Sequence, residues 1–108
     1  MVGAEIGLVG YGSTDLAIQE ARAILAQQGI ATDYLRIKAI PFTPEVVDFI
    51  HQHKHTYVIE LNRDGQMHQL LSLETPHDAG KLVSLSHIDG LPLTADWVVK
   101  ALTAEEAK

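Results

Sequence analysis

The sequence contains no cysteine among its 108 residues. This absence excludes disulfide bonds, thiolate metal sites, cysteine-ligated iron–sulfur clusters and a cysteine nucleophile within the chain. It fits the cytoplasmic localisation that we expect, because disulfides are rare in that compartment. No apolar run approaches the roughly 20 residues of a membrane span, and the first residues lack the basic and apolar regions of a signal peptide. We therefore expect no membrane partner.

Basic residues are also few. Eight Lys and Arg stand against fourteen Asp and Glu, which gives a formal charge of −6. The basic residues are scattered along the chain, so we expect no nucleic-acid partner. Aromatic residues make up 6% and apolar residues 46% of the sequence. This is the composition of an ordinary globular domain, and residues 1–108 are predicted to form one.

Strand-like and helix-like segments alternate along the chain. β-Branched and apolar runs that end in turn residues predict strands, and apolar residues at helical spacing predict helices. The predicted strands cover about 5–10, 32–38, 56–61 and 81–86, and the predicted helices about 14–28, 44–53, 66–73 and 95–102, with residues 104–108 frayed. Strands that alternate with helices predict an α/β fold with a mostly parallel sheet covered on both faces.

The first candidate site is the glycine turn that follows the first strand. Gly10, Gly12 and Ser13 lie between that strand and the next helix, where backbone N–H groups can face an anion. A dinucleotide fingerprint needs a third glycine where Asp15 stands, and the Gly-Lys-Ser/Thr of a P-loop is absent. A tight strand-to-helix turn is the favoured interpretation. A contact with a ligand or a neighbouring domain is the alternative.

The second candidate site is a dense polar run at the end of the third strand. Glu60, Asn62, Arg63 and Gln66 lie in the run Glu-Leu-Asn-Arg-Asp-Gly-Gln. Asn, Asp and Gly are ordinary turn formers, so a structured turn is one interpretation. In an α/β sheet, however, the carboxyl ends of strands are where ligands and partners are met. The run is therefore the best candidate for a surface used in assembly.

Histidines offer a third possibility. His51, His53 and His55 alternate along the chain. A helix running through all three could place two of them on a metal, but the segment is predicted to change from helix to strand. A surface cluster, or one histidine packed at the helix end, is favoured. Among the remaining histidines, His87 with Asp89 at a strand end is the pair that most suggests a function, although an ordinary structural role is favoured there too. No serine lies in a G-x-S-x-G elbow, and we assign no catalytic residue.

Four stretches of the sequence resemble one protein family. They are Val9-Gly-Tyr-Gly-Ser-Thr, Tyr34-Leu-Arg-Ile-Lys-Ala-Ile-Pro-Phe, Val58-Ile-Glu-Leu-Asn-Arg-Asp-Gly-Gln-Met-His-Gln-Leu and Leu85-Ser-His-Ile-Asp-Gly-Leu-Pro-Leu-Thr. The chain resembles the C-terminal domain of the alpha subunit of 2-oxoacid:ferredoxin oxidoreductases, the 2-oxoglutarate type in particular. The likeness runs from Ile6 to Leu102, and the Glu-x-Asn-Arg-Asp-Gly-Gln run is its most specific element.

The resemblance implies a fold and a function. The fold is a transketolase C-terminal-like, three-layer α/β/α sandwich with a mostly parallel sheet of about five strands, one of them often antiparallel. The enzymes of this family oxidatively decarboxylate a 2-oxoacid with coenzyme A to acyl-CoA, carbon dioxide and reduced ferredoxin. Thiamine diphosphate, magnesium and iron–sulfur clusters are held elsewhere in the complex. The expected partners are an upstream alpha-subunit module, the beta subunit and, through the complex, ferredoxin.

The chain departs from the family in length, because the upstream thiamine-associated module is missing. We therefore expect a fragment of a longer alpha subunit or a split subunit, which has no cofactor of its own and is inactive when isolated. The residues that match family motif positions are expected to be binding or subunit contacts rather than catalysts. They are Gly10, Gly12, Ser13, Glu60, Asn62, Arg63 and Gln66.

A free-standing, flavodoxin-like domain that binds a small ligand or regulates another protein is the alternative. A receiver of this type holds magnesium with clustered acids at its strand ends, whereas the first strand here ends in Gly-Tyr-Gly-Ser. A flavodoxin needs a loop that cradles phosphate, and Gly12-Ser13-Thr14 is only a short version of one.

Overall fold

The computed structural model describes residues 4–11, 14–37, 44–60, 66–86 and 93–107. Strands and helices alternate in the predicted order, and a short 3₁₀ segment that the sequence did not predict, Ala79–Lys81, precedes the last strand. The elements are β1 (Ile6–Tyr11), α1 (Asp15–Gln27), β2 (Thr32–Ile37), α2 (Pro44–Gln52), β3 (His55–Glu60), α3 (Gln66–Glu74), β4 (Leu82–Ser86) and α4 (Ala95–Glu106).

The strands form one parallel sheet in the order β2-β1-β3-β4. The predicted α/β class is therefore confirmed. Within the described residues the sheet has four strands instead of about five, and none of them is antiparallel. Because all four strands point the same way, their carboxyl ends form one edge of the sheet and their amino ends the other. We call these the carboxyl edge and the amino edge.

Helices cover both faces of the sheet, because side chains alternate between the two faces along a strand. Leu8, Tyr57 and Ile59 point into a core shared with α1 and α4. Val9 and Val58 point the other way, into a core shared with α2 and α3. The result is the predicted three-layer α/β/α arrangement. Burying an apolar side chain of this size contributes roughly 1.5–3 kcal/mol, so both layers stabilise the sheet.

Local capping features are present at the ends of two helices. Gly29 adopts φ 85° just after α1, a left-handed conformation that suits a residue without a Cβ. The Thr94 side chain accepts a hydrogen bond from the backbone N–H of Trp97 at 3.2 Å and so caps α4. Thr14 is the residue before α1, but its side chain makes no capping bond.

The end of α4 differs from the prediction. Residues 104–106 are helical rather than frayed. The Glu106 carboxylate accepts a hydrogen bond from the Tyr57 hydroxyl and lies 3.1 Å from His55 Nδ1. The last turn is therefore held by side chains from β3, a contact that local propensity cannot reveal.

Two tyrosines that donate to carboxylates should make the domain sensitive to alkali. Burial, and then the hydrogen-bonded carboxylate of Glu106, raise the pKa of the Tyr57 phenol. Burial and Asp15 raise the pKa of Tyr34 in the same way. A phenol whose pKa is raised on folding contributes its stability below its unfolded pKa of about 10, and this contribution is lost as the pH rises further.

We therefore expect the stability of the wild type to fall steeply above about pH 10. A Tyr34→Phe/Tyr57→Phe variant should be less stable at neutral pH, because two hydrogen bonds are lost, but should depend less on alkaline pH. Urea unfolding from neutral to alkaline pH measures both effects. If the free energy of unfolding falls equally with alkaline pH in both proteins, the two tyrosines are not the cause of the alkaline sensitivity.

Candidate contact site at the carboxyl edge

The structure places Gly10 and Glu60, the described residues of the two main candidate segments, on adjacent strands. Gly10 near the end of β1 is paired with Ile59 of β3, and Glu60 is the next residue of β3. The chain leaves β1 through α1 towards β2 on one side, whereas β3 lies on the other side. This is the topological switch point of a doubly wound sheet, where a crevice forms outside the carboxyl ends of the strands.

Gly10 sits where side chains of α1 and β2 pack closely against β1. A Cβ at this position would lie 2.5 Å from Ile18 Cδ1 and 3.0 Å from both Thr14 Oγ1 and the Tyr34 hydroxyl. Ile18 and Thr14 are almost fully buried, so neither can withdraw into solvent. A glycine is therefore favoured by packing at this position near the end of β1.

Glu60 is buried, with 4% of its surface exposed. Its carboxylate Oε2 accepts a hydrogen bond from the backbone N–H of His68 at 3.0 Å. That N–H belongs to the first turn of α3, where backbone donors have no partner within the helix and the helix dipole favours a negative charge. Glu60 thus holds the start of α3 against the end of β3.

The remaining candidate residues are only partly covered by the structure. Gln66 begins α3, but its side chain lies outside the described part of the chain. Four other candidate contact residues lie wholly outside the described residues, namely Gly12, Ser13, Asn62 and Arg63. His87 and Asp89 also lie outside them.

The two described candidates share an edge but not a face. The open side of Gly10 is turned to α1, whereas Glu60 reaches α3, and these helices cover opposite faces of the sheet. Each is engaged within the domain, in packing or in helix capping. Gly10 has no side chain and the Glu60 carboxylate is hydrogen-bonded to α3, so these two residues do not form a nucleophile and base pair.

Tyr34 and Asp15 were not predicted from the sequence to belong to this region. The Tyr34 hydroxyl donates to Asp15 Oδ1 at 2.6 Å and borders the space that a Cβ at Gly10 would fill. Gln19 donates to the other oxygen of the same carboxylate at 2.8 Å. Asp15 lies in the first turn of α1, and nothing in the sequence connects it to a tyrosine of the neighbouring strand.

Glu60→Gln should separate a capping role from a simple loss of shape. Glutamine keeps the volume and an acceptor oxygen but loses the charge that complements the helix start. We expect a loss of about 1 kcal/mol in the free energy of unfolding, measured with urea. Glu74→Gln, at the exposed end of the same helix, is the control and should change stability by less than about 0.5 kcal/mol. Equal effects would contradict the capping role.

The three alternating histidines do not converge on a metal. Each pairs with a carboxylate from a different part of the fold, and no set of three metal-binding side chains occurs among the described residues. The predicted change from helix to strand is confirmed, because α2 ends at Gln52 and β3 begins at His55. The pairs are His51 with Asp78 at 3.2 Å, His53 with Asp33 at 2.7 Å and His55 with Glu106 at 3.1 Å.

His53 is the buried member of this set, as one of the sequence interpretations expected. It is 4% exposed. Its Nδ1 lies 2.5 Å from the Phe49 carbonyl oxygen, and its Nε2 lies 2.7 Å from Asp33 Oδ2. The ring therefore ties the end of α2 to β2 at the amino edge, away from the candidate contact site.

The exposed pair formed by His51 is reinforced by a lysine. Lys81 Nζ lies 3.3 Å from Asp78 and donates to the His51 carbonyl at 3.0 Å. Burial acts to raise the pKa of Asp78, but the hydrogen bonds with His51 and Lys81 outweigh it and hold the pKa below its ordinary value. This pair connects α2 to the 3₁₀ segment.

Trp97 of α4 packs against the core. It is partly buried and contacts the core between the sheet, α1 and α4.

The helices within the described residues include none that is long and apolar enough to cross a membrane.

The fold and the site define a class of protein, a three-layer α/β/α domain with a doubly wound parallel sheet. Comparison with solved structures is more specific. The chain is similar to part of the 2-oxoglutarate:ferredoxin oxidoreductase from Magnetococcus marinus, a structure with 2-oxoglutarate, coenzyme A and succinyl-CoA bound. The TM-score is 0.83 and the sequence identity 25%, over 97% of this chain.

The similarity covers a small part of the larger protein. This chain spans 18% of the length of the oxidoreductase chain that it matches. No family model matches the sequence, and no curated protein matches it. The structural comparison supports the family that the sequence motifs resemble, and it covers nearly the whole of this chain.

Proposed function

We propose that this chain is the transketolase C-terminal-like module of the alpha subunit of a 2-oxoacid:ferredoxin oxidoreductase, and that it serves assembly of the complex. The observation that carries this proposal is the structural similarity to a 2-oxoglutarate:ferredoxin oxidoreductase over 97% of the chain. The sequence motifs point to the same family independently of the fold. The chain is then a fragment of that subunit or a split subunit.

The chemistry that we propose for the complex is oxidative decarboxylation of a 2-oxoacid, with 2-oxoglutarate as the favoured substrate. The carbon–carbon bond to the carboxyl group breaks, carbon dioxide leaves, and the remaining acyl group forms a thioester with coenzyme A. The two electrons released pass to ferredoxin. In this proposal, thiamine diphosphate, magnesium and the iron–sulfur clusters are held by other parts of a cytoplasmic complex, and this cysteine-free chain supplies no cluster thiolate.

The role proposed for the carboxyl edge is contact with the upstream alpha-subunit module and the beta subunit. Gly10 and Glu60 shape this edge from within, through the packing of α1 and the start of α3. Gly12, Ser13, Asn62 and Arg63 follow the same two strand ends in the sequence, and Gln66 begins α3. These five are proposed as the contact residues, because adjacent strand ends bring such connections to one crevice.

The first experiment is to read the native reading frame upstream of Met1 and the neighbouring genes. A thiamine-associated module in the same frame, or in an adjacent gene, identifies the other components. The purified 108-residue chain should show no 2-oxoacid-dependent reduction of ferredoxin, whereas reconstitution with those components should give turnover. Turnover by the chain alone, or failure to associate with the components, would overturn the proposal.

Arg63→Ala tests the proposed contact residues within the reconstituted complex. We expect weaker assembly, seen as a smaller fraction of complex in size-exclusion chromatography, with turnover reduced in proportion. Lys54→Ala removes an exposed basic residue at the opposite edge, just before β3, and is the control. Normal assembly and normal turnover of Arg63→Ala with every 2-oxoacid would remove Arg63 from the contact.

The flavodoxin-like alternative is favoured by one observation. The strand order β2-β1-β3-β4 is the start of the order found in flavodoxin-like sheets, which bind a ligand at the same β1/β3 switch point. A titration of the isolated chain with flavin mononucleotide discriminates between the two proposals. Saturable binding by the isolated chain would favour the free-standing domain.

A further inference from the structure

A groove lies between α1 and the start of α4. It has a volume of about 430 Å³, and Leu16, Ile24 and Leu93 are among the side chains that line it. Ile24 and Leu93 are partly buried against the core, but Leu16 is 81% exposed. A lone exposed leucine is common on protein surfaces. This one borders an apolar groove, so an apolar side chain entering the groove would contact Leu16 as well as its partly buried neighbours.

The charged side chains that line the groove are both acidic, Glu20 and Asp96. Lys100 contacts Asp96 at 3.0 Å, but the side chains of this pair are 77% and 74% exposed, and an ion pair so exposed adds little. Arg22, the basic residue of α1, points to β2 and donates a hydrogen bond to the Thr32 carbonyl at 2.8 Å. The groove therefore presents an apolar surface with a negative rim, which selects a partner with a positive charge beside an apolar side chain.

We propose that this groove, the α1/α4 groove, docks a segment of the other oxidoreductase components that carries an apolar side chain flanked by lysine or arginine. The inference rests on the proposed function, because the occupant belongs to the complex. The similar solved protein is a chain of which this domain matches only 18%. The groove also begins at the carboxyl edge, directly after the proposed contact residues Gly12 and Ser13 in the sequence.

The test measures the affinity of the 108-residue chain for the purified components that the neighbouring genes encode, by isothermal titration. Leu16→Glu should weaken binding at least about tenfold, the size expected for a buried interface anchor. Leu16→Lys should weaken it as much, because the new charge repels a basic segment. Far-UV circular dichroism and thermal unfolding of both variants show whether the fold is intact.

Leu73 offers a matched control. It is a leucine of nearly equal exposure, 79%, on α3, which covers the opposite face of the sheet. Leu73→Glu changes the net charge by the same amount as Leu16→Glu, and it should leave the affinity within about twofold of the wild type if the α1/α4 groove is the docking surface.

The acidic rim has its own test. A Glu20→Gln/Asp96→Asn variant should bind more weakly at low salt, and its affinity should fall less as sodium chloride is added, because fewer charges are attracted to the partner. An unchanged salt dependence would remove the basic segment from the proposal. The change preserves side-chain volume, so the fold should be unaffected.

The outcomes separate this inference from the proposed function. If the wild-type chain does not bind the components, the proposed function fails, and the occupant named here fails with it. If the wild type binds and both Leu16 variants bind as well as it does, only the groove is overturned. Stronger weakening by Leu73→Glu than by Leu16→Glu would also overturn it. So would a dimer of the isolated chain, seen by analytical ultracentrifugation, that Leu16→Glu dissociates, because the occupant would then be a second copy.

Discussion

Gly10→Ala is expected to lower the free energy of unfolding by about 1–3 kcal/mol, the cost of adding a methyl group to a closely packed core. The new Cβ would lie 2.5 Å from Ile18 Cδ1 and 3.0 Å from the Tyr34 hydroxyl. Ile18 is fully buried, and the hydroxyl is fixed by its bond to Asp15. Gly10→Val adds two further carbons at the same point and should leave little folded protein under mild conditions. Urea unfolding measures both variants.

Ile18→Val in the same background identifies the cause. Valine lacks the Cδ1 atom that the new methyl group meets, so Gly10→Ala/Ile18→Val should be more stable than the sum of the single changes by about 1 kcal/mol. Gly80→Ala is the matched control, since a Cβ there meets no atom within 4 Å. It should change stability by less than about 0.5 kcal/mol. Strict additivity of the two changes would show that the contact with Ile18 does not cause the loss.

His53→Ala is expected to cost about 2–4 kcal/mol, because two hydrogen bonds at a buried site are lost at once. The Phe49 carbonyl and the Asp33 carboxylate would both lose their contact with the ring. Asp33 also accepts from the backbone N–H of Ala4 at 3.0 Å, and part of its side chain is exposed, so water offsets some of this loss. Urea unfolding at neutral pH measures the change.

His51→Ala is the matched control for His53→Ala. His51 also pairs with a carboxylate, but its side chain is 74% exposed, and exposed pairs of this kind contribute at most about 1 kcal/mol. A double-mutant cycle with Asp33→Asn isolates the buried pair, because Asp33→Asn should cost less in the absence of His53. If His53→Ala is no more destabilising than His51→Ala, the buried contacts do not stabilise the fold as proposed.

The two strongest stability effects fall at opposite edges of the sheet. His53 ties the amino edge together, whereas Gly10 lies at the carboxyl edge, where α1 meets the sheet. A variant at His53 should therefore lower the stability of the module without altering the proposed contact residues. A variant at Gly10 should also disturb assembly, because α1 carries Leu16 of the α1/α4 groove.

The positions of the helices and strands could be predicted from the sequence, because they depend on local chemistry. The strands and helices lie within a few residues of their predicted positions, because apolar periodicity, capping residues and turn glycines act over short distances. The α/β class followed from their alternation. Motifs that run along the chain also indicated the family, which the structural comparison supports.

Tertiary structure alone decided which of these elements meet. Residues 10–13 and 60–66 are some fifty positions apart in the chain, and only the order β2-β1-β3-β4 makes their strands neighbours. The same packing places Gly10 against α1 and Glu60 against α3. It also pairs each of the three alternating histidines with a different carboxylate. It also kept the end of α4 helical, through contacts of Glu106 with β3.

The division has one physical reason. Helix and strand preferences depend on the backbone and on side chains close in sequence, so a short stretch of sequence is enough to predict them. Burial of Glu60 and His53, the close approach at Gly10 and the exposure of Leu16 depend on which segments pack together across the sheet. Which segments pack together is determined by the total burial of apolar side chains in two cores, one on each face of the sheet. It therefore cannot be predicted from any single stretch of sequence.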